Sequence, residues 1–126
     1  MRFGGLHHVQ VAMPAGREDD ARAFYAGALG LGEIEKPEHL RARGGCWFRS
    51  DDGTVEIHIG VEEEFRPARK AHPAILVDDL DRLRRSIADG GYDVQDDTQL
   101  EGYERFYGFD PFGNRLEFLG DSDRRP

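Results

Sequence analysis

With 126 residues, 38% of them hydrophobic, the chain suffices for one compact domain and is too short for two ordinary ones. Its 25 acidic and 17 basic side chains leave a net charge of -8 with no basic block, which excludes nucleic acid as the expected partner. No run nears the roughly 20 apolar residues of a membrane span, and no apolar leader core opens the chain, so a cytoplasmic protein acting on a small molecule is expected.

The first element is "LHHVQVAM", from Leu6 to Met13, which alternates as a strand and so sends successive side chains to opposite faces. Val9, Val11 and Met13 form the set expected to face a helix. His8, Gln10 and Ala12 then share the concave face, and His7 falls on the other. "REDDARAFYAGALG" places Ala21, Phe24, Tyr25, Ala28 and Leu29 at helical spacing, with Gly30 as a stop. A weaker strand around Glu33–Lys36 ends at Pro37. "GGCWFRS" and "TVEIHIGV" follow as strands joined by the turn Asp51-Asp52-Gly53. In the second of them Val55, Ile57 and Ile59 face the helices, while Glu56 and His58 share the concave side. The only cysteine, Cys46, permits no intrachain disulfide or cysteine-cluster metal site and reads as a small buried hydrophobe.

At His72 the pattern begins again. "HPAILV" reads as a strand, Asp78 or Asp79 as a helix N-cap, and "LDRLRRSIADGG" as a helix with Leu80, Leu83 and Ile87 on one face. "YDVQDD", "YERFYGF" and "NRLEFLG" supply three more strands, the last after the turn Asp110-Pro111-Phe112-Gly113. Both halves therefore read strand, helix, three strands, the mark of one supersecondary unit used twice. The expected layout is module one over 6–60, a charged linker over 61–71, module two over 72–120 and a tail over 121–126. A fold of the α+β class follows, with two tandem βαβββ modules.

His8 precedes Glu56 by 48 residues and His72 precedes Glu117 by 45, so each half opens on a histidine and ends on a strand glutamate. A carboxylate buried in a sheet without a partner is costly. A divalent cation explains both glutamates and both histidines at once, because neutral imidazole and carboxylate oxygen are its usual ligands. His8, Glu56, His72 and Glu117 are the candidate metal ligands, with His58 able to replace Glu56 or act as a base beside it. Gln10, Trp47, His58 and Arg105 are candidate cavity residues. Trp47 lies six residues before Gly53, as Tyr107 does before Gly113, which pairs the two aromatics across the repeat. Arg66, Arg69 and Lys70, close before His72, form a basic rim suited to a carboxylate or phosphate.

These stretches, "LHHVQVAM", "ARAFYAGALGLGEI", "VEIHIG", "HPAILVDDLD" and "DPFGNRLEF", resemble the vicinal oxygen chelate superfamily of glyoxalase I, extradiol dioxygenases, fosfomycin-resistance enzymes and bleomycin-resistance proteins. The resemblance implies that the modules form curved mixed sheets that close round a metal-centred cavity, with the metal positions mapping onto His8, Glu56, His72 and Glu117. It implies one divalent ion (Zn, Ni, Fe, Mn or Co) and a glyoxalase-like lyase or isomerase acting on a small substrate with adjacent oxygens. Glu56 and Glu117 would move the proton. "YGFDPFGNRLE", Tyr107 to Glu117, fits the tail of the extradiol dioxygenase signature and makes Tyr107 a candidate catalytic residue. The histidine of that signature would fall at Thr98, Gln99 or Leu100 and is missing. The glutathione-binding arginine and asparagine of glyoxalase I fall at Ala12 and Gly60. The alternatives are a non-catalytic drug- or metabolite-sequestering protein of the bleomycin-resistance type and an extradiol-type dioxygenase lacking the usual acid–base histidine. The charged linker and the exposed sheet edges point to a homodimer, in which His8 and Glu56 of one chain could meet His72 and Glu117 of the other.

Overall fold

The computed structural model describes residues 1–97 and 102–121, so residues 122–126 of the expected tail lie outside it. In chain order come β1 (Val9–Met13), α1 (Glu18–Arg22) running into a π-helical turn (Ala23–Ala28), β2 (Gly32–Ile34) and a 3-10 segment (Glu38–Arg43). β3 (Cys46–Arg49), β4 (Glu56–Val61), β5 (Ala74–Leu76), α2 (Leu80–Asp89), β6 (Val94–Asp97), β7 (Tyr103–Phe109) and β8 (Arg115–Asp121) complete the chain. The strands form two four-stranded sheets of order β1-β4-β3-β2 and β5-β8-β7-β6. In each sheet the first strand pairs parallel with the last and the other neighbours are antiparallel. This is the βαβββ unit twice over, an α+β fold as the repeat foretells.

Alternation decides which sheet face is covered. Val11, Met13, Cys46, Phe48, Ile57 and Ile59 are buried under the helical segment of the first half, where Ala21, Phe24 and Tyr25 meet them. Ile87, Phe106, Leu116 and Phe118 do the same in the second half, and the two sets merge into one hydrophobic cluster. The expected helix over "REDDARAFYAGALG" departs from regular α geometry after Arg22. The Leu29 amide donates to the Phe24 carbonyl at 2.9 Å, five residues back, which is a π-type bond. Burial pushes the Cys46 thiol up to about 11, so it serves as packing and not as a nucleophile.

Local signals set the ends of the elements. The Asp79 carboxylate accepts from the Arg82 amide at 3.1 Å and so caps α2, settling the choice between Asp78 and Asp79. Asp79→Ala should cost about 1 kcal/mol, read as a lower urea midpoint with unchanged slope. Gly45 enters β3 at φ 82°, and a Cβ there would lie 2.1 Å from the Ile59 carbonyl oxygen. Only glycine lets the backbone come that close.

The turn between β7 and β8 joins the two halves. Asn114 is fully buried: its side-chain amide donates to the Ala12 carbonyl at 2.8 Å and to Asp110 Oδ2 at 2.9 Å, and its Oδ1 accepts from the Ala68 amide at 2.9 Å. Asp110 also accepts from the Tyr25 hydroxyl at 2.7 Å and from the amides of Phe112 and Asn114, each at 2.9 Å. Burial pushes the Asp110 carboxyl above its ordinary range, and these donors pull the other way. The sequence reads "DPFG" as a turn; in the fold, together with Asn114, it is also the polar link between β1, the connector and β8.

Candidate metal and substrate site

On the face of the first sheet turned away from the helices, side chains gather around the buried His58. Its imidazole lies between two rings, stacked on His8 at 3.9 Å between centroids and on Trp47 at 3.8 Å. A 2.7 Å contact joins His58 Nε2 to Glu56 Oε2, and Arg49 holds Glu56 Oε1 at 2.8 Å. Burial lowers the His58 pKa, and the hydrogen bond from His58, aided by Arg49, lowers that of Glu56. The stable pair is therefore a neutral imidazole donating from Nε2–H to an ionised carboxylate, which leaves Nδ1 as the lone-pair nitrogen of His58.

His7 departs from the expected placement on the opposite face. Regular strand structure begins only at Val9, so alternation does not bind the two residues before it. The Nδ1 atoms of His7 and His8 lie 2.9 Å apart. Among the described residues, His7, His8 and Glu56 are the group of three with potential ligand atoms within 4.8 Å of one another.

The second sheet carries its own pair. His72 Nε2 and Glu117 Oε1 are 2.9 Å apart, while His72 Nδ1 lies 2.8 Å from the Lys70 carbonyl oxygen. A carbonyl only accepts, so Nδ1 carries a proton. A neutral His72 then turns its Nε2 lone pair toward a carboxylate oxygen, and a proton or a cation must lie between them. A backbone carbonyl that fixes the tautomer of a metal-binding histidine is a common arrangement, and the donor set fits a divalent ion. Arg105 reaches the other Glu117 oxygen at 3.2 Å and Asp97 at 3.1 Å. The Tyr107 ring stands edge-on to His72 at 5.7 Å.

One chain does not draw His8, Glu56, His72 and Glu117 into a single cluster. His8 and Glu56 belong to the first group and His72 and Glu117 to the second. A cleft of about 840 Å³ runs between the β1 and β5 edges, lined by His8, Gln10, Glu56, Arg66 and His72 among others. Trp47 and His58 stack on the first sheet, and Arg105 is bound into the ion pairs of the second.

The strand registers relate the halves more closely than the sequence match does. Val11 pairs with Ile59 as Ile75 pairs with Phe118, and Trp47 pairs with His58 as Tyr107 pairs with Glu117. The repeat mate of Glu117 is thus His58, and that of Glu56 is Arg115. Six residues separate the paired Arg49 and Glu56, whereas five separate Phe109 and Arg115, so matching "VEI" to "LEF" slips the register. Arg115 is a site-face residue that the sequence reading omits. Its position two residues before Glu117 in an alternating strand is the signal that could have found it.

Comparison with known proteins gives a consistent result. The model of the Glyoxalase/Bleomycin resistance protein/Dioxygenase superfamily matches residues 5–118. A crystal structure of a glyoxalase family protein from Bacillus anthracis is 49% identical, with TM-score 0.90, over 97% of this chain and 100% of that one. A glyoxalase/dioxygenase from Nostoc punctiforme is 22% identical, with TM-score 0.71, over 94% and 91%. A mutant of the fosfomycin resistance protein FosX from Listeria monocytogenes, solved with Mn(II) and 1S,2S-dihydroxypropylphosphonic acid, is 16% identical, with TM-score 0.72, over 93% and 90%. No curated protein matches significantly.

Proposed function

Because the chain belongs to the glyoxalase/bleomycin resistance protein/dioxygenase superfamily, we propose that it is a metal-dependent enzyme of the lyase or isomerase type acting on a small substrate with adjacent oxygen atoms. The observation that carries this reading is the His72–Glu117 pair, with Nδ1 committed to a carbonyl and Nε2 facing a carboxylate oxygen. His8, His72 and Glu117 hold the ion, and β4 contributes a fourth ligand. A bound divalent cation (Zn, Ni, Fe, Mn or Co) supplies Lewis-acid polarisation of the substrate oxygens. The Mn(II) in the FosX relative supports keeping manganese among them.

Glu56 stays ionised at neutral pH and can take a proton at Oε2, the oxygen not held by Arg49. Glu117 is the second candidate for that role, and Tyr107 bounds the site beside His72. The separation of the two ligand groups within one chain supports a homodimer whose sites each draw on both chains. Leu76, 68% exposed on the edge strand β5, is the kind of apolar surface such pairing covers.

Metal analysis of the purified protein tests the reading: about one divalent ion per chain is expected, lost on acidification as the ligands protonate. Protein that binds substrate unchanged after chelation would favour sequestration without catalysis. The register supports His58 as the β4 ligand and Glu56 as its orienting partner. On that assignment His58→Ala removes a ligand and weakens metal binding by more than the about 10- to 100-fold typical of losing an orienting partner. Glu56→Gln retains metal but loses about 100-fold or more in turnover, because an amide cannot accept the proton. The reverse ranking in metal affinity would return the ligand role to Glu56.

A further inference from the structure

We propose that Arg115, with Arg105 beside it, binds an anionic head group of the substrate, a carboxylate or a phosphate-type oxyanion. This rests on the reading of His72 and Glu117 as the metal end of the same site. Register places Arg115, Glu117, Tyr107 and Arg105 on one face of the second sheet, since Tyr107 pairs with Glu117 and Phe109 with Arg115. Both guanidiniums lie against the Tyr107 ring, at 4.6 Å for Arg115 and 5.5 Å for Arg105.

The two arginines differ in what balances them. Arg105 is paired with Glu117 and Asp97. Arg115 forms no ion pair or side-chain hydrogen bond among the described residues, and the buried Nε atoms of both arginines have no partner. A guanidinium offers five N–H donors and no acceptor, and a half-buried one is expected to be paired. The Tyr107 ring attracts the cation but accepts none of those hydrogen bonds in full. The group that matches these donors is an anion with two oxygens in one plane, which a guanidinium fork grips through two parallel bonds. A chain of net charge -8 repels anions in general, so a positive spot beside the proposed metal end selects for them. Residues two apart along a strand stand about 7 Å apart, which suits an oxyanion a few bonds from the substrate's adjacent oxygens.

Calorimetric titration of the full chain with inorganic phosphate, and separately with acetate, tests this before and after chelation. Wild-type protein is expected to bind at least one of the two. Arg115→Gln should weaken that binding at least tenfold with metal content unchanged, and Arg115→Lys should fall between them. Should Arg115→Gln fail to fold, protection of Arg115 in the wild type from phenylglyoxal by the bound oxyanion, mapped by mass spectrometry, reads the same contact. Equal affinity in wild type and Arg115→Gln, no binding of either oxyanion, or no protection would overturn the proposal, as would a variant that only dissociates a dimer. Arg115-dependent oxyanion binding in a protein that takes up no metal would sink the metal reading and leave this subsite standing. Metal uptake with no role for Arg115 would do the opposite.

Discussion

Glu117→Ala and His8→Ala proteins, each purified alone, are expected to retain less than about a tenth of the wild-type metal, while an equimolar co-refolded mixture recovers about a quarter of it. Removing a ligand costs more than the 10- to 100-fold typical of losing an orienting partner. His8 is exposed and precedes β1, and neither it nor the buried Glu117 belongs to the hydrophobic cluster, so the fold should survive. The recovery follows from counting sites. Random pairing makes half the dimers mixed, and a mixed dimer with shared sites holds one intact site and one doubly damaged site. Sites built within single chains would recover nothing. The measurement is metal per chain by plasma emission, paired with the mass of the particle in solution. A monomer carrying full metal would exclude the shared arrangement.

Asn114→Ala should produce the largest loss of stability of any single polar replacement in the chain, about 3–4 kcal/mol. It removes three side-chain hydrogen bonds at once and leaves the Ala68 amide, the Ala12 carbonyl and one acceptor position on Asp110 unmet in the interior. Unsatisfied buried groups cost about 1–3 kcal/mol each, and partial relaxation keeps the sum below their total. For a chain of this size the melting temperature should fall by roughly 10 °C or more. Tyr25→Phe removes only the hydroxyl bond to Asp110 and should cost about 1–2 kcal/mol. Similar small losses from both changes would show that the network does not link the halves.

The elements were legible because burial on one face leaves a period in the sequence. Val9, Val11 and Met13 mark β1, and Leu80, Leu83 and Ile87 mark α2, without reference to anything distant. The polar network was not legible, since Asn114 meets Ala12 across 102 residues and Tyr25 meets Asp110 across 85, and no local pattern encodes such a pairing. The π-turn was hidden for a different reason, because an extra residue in one helical turn barely shifts the apolar spacing of Phe24, Tyr25 and Ala28. The site stood between these cases. Alternation brings Glu56 and His58 to one face, but only the register distinguishes their relation to Glu117. Strand alternation also misassigned His7, which precedes the first residue that the ladder constrains.

Trp47 is the single tryptophan of the chain, and its indole lies parallel to His58 within 3°. The protein therefore carries its own optical reporter, at a ring distance from one of the groups under question. An indole in contact with an imidazole loses emission when that imidazole takes up positive charge, whether from a proton or from a coordinated cation. Excitation at the indole band thus observes the first half-site alone, with no background from other tryptophans and no label. The second half-site, built around Tyr107, is silent at that wavelength.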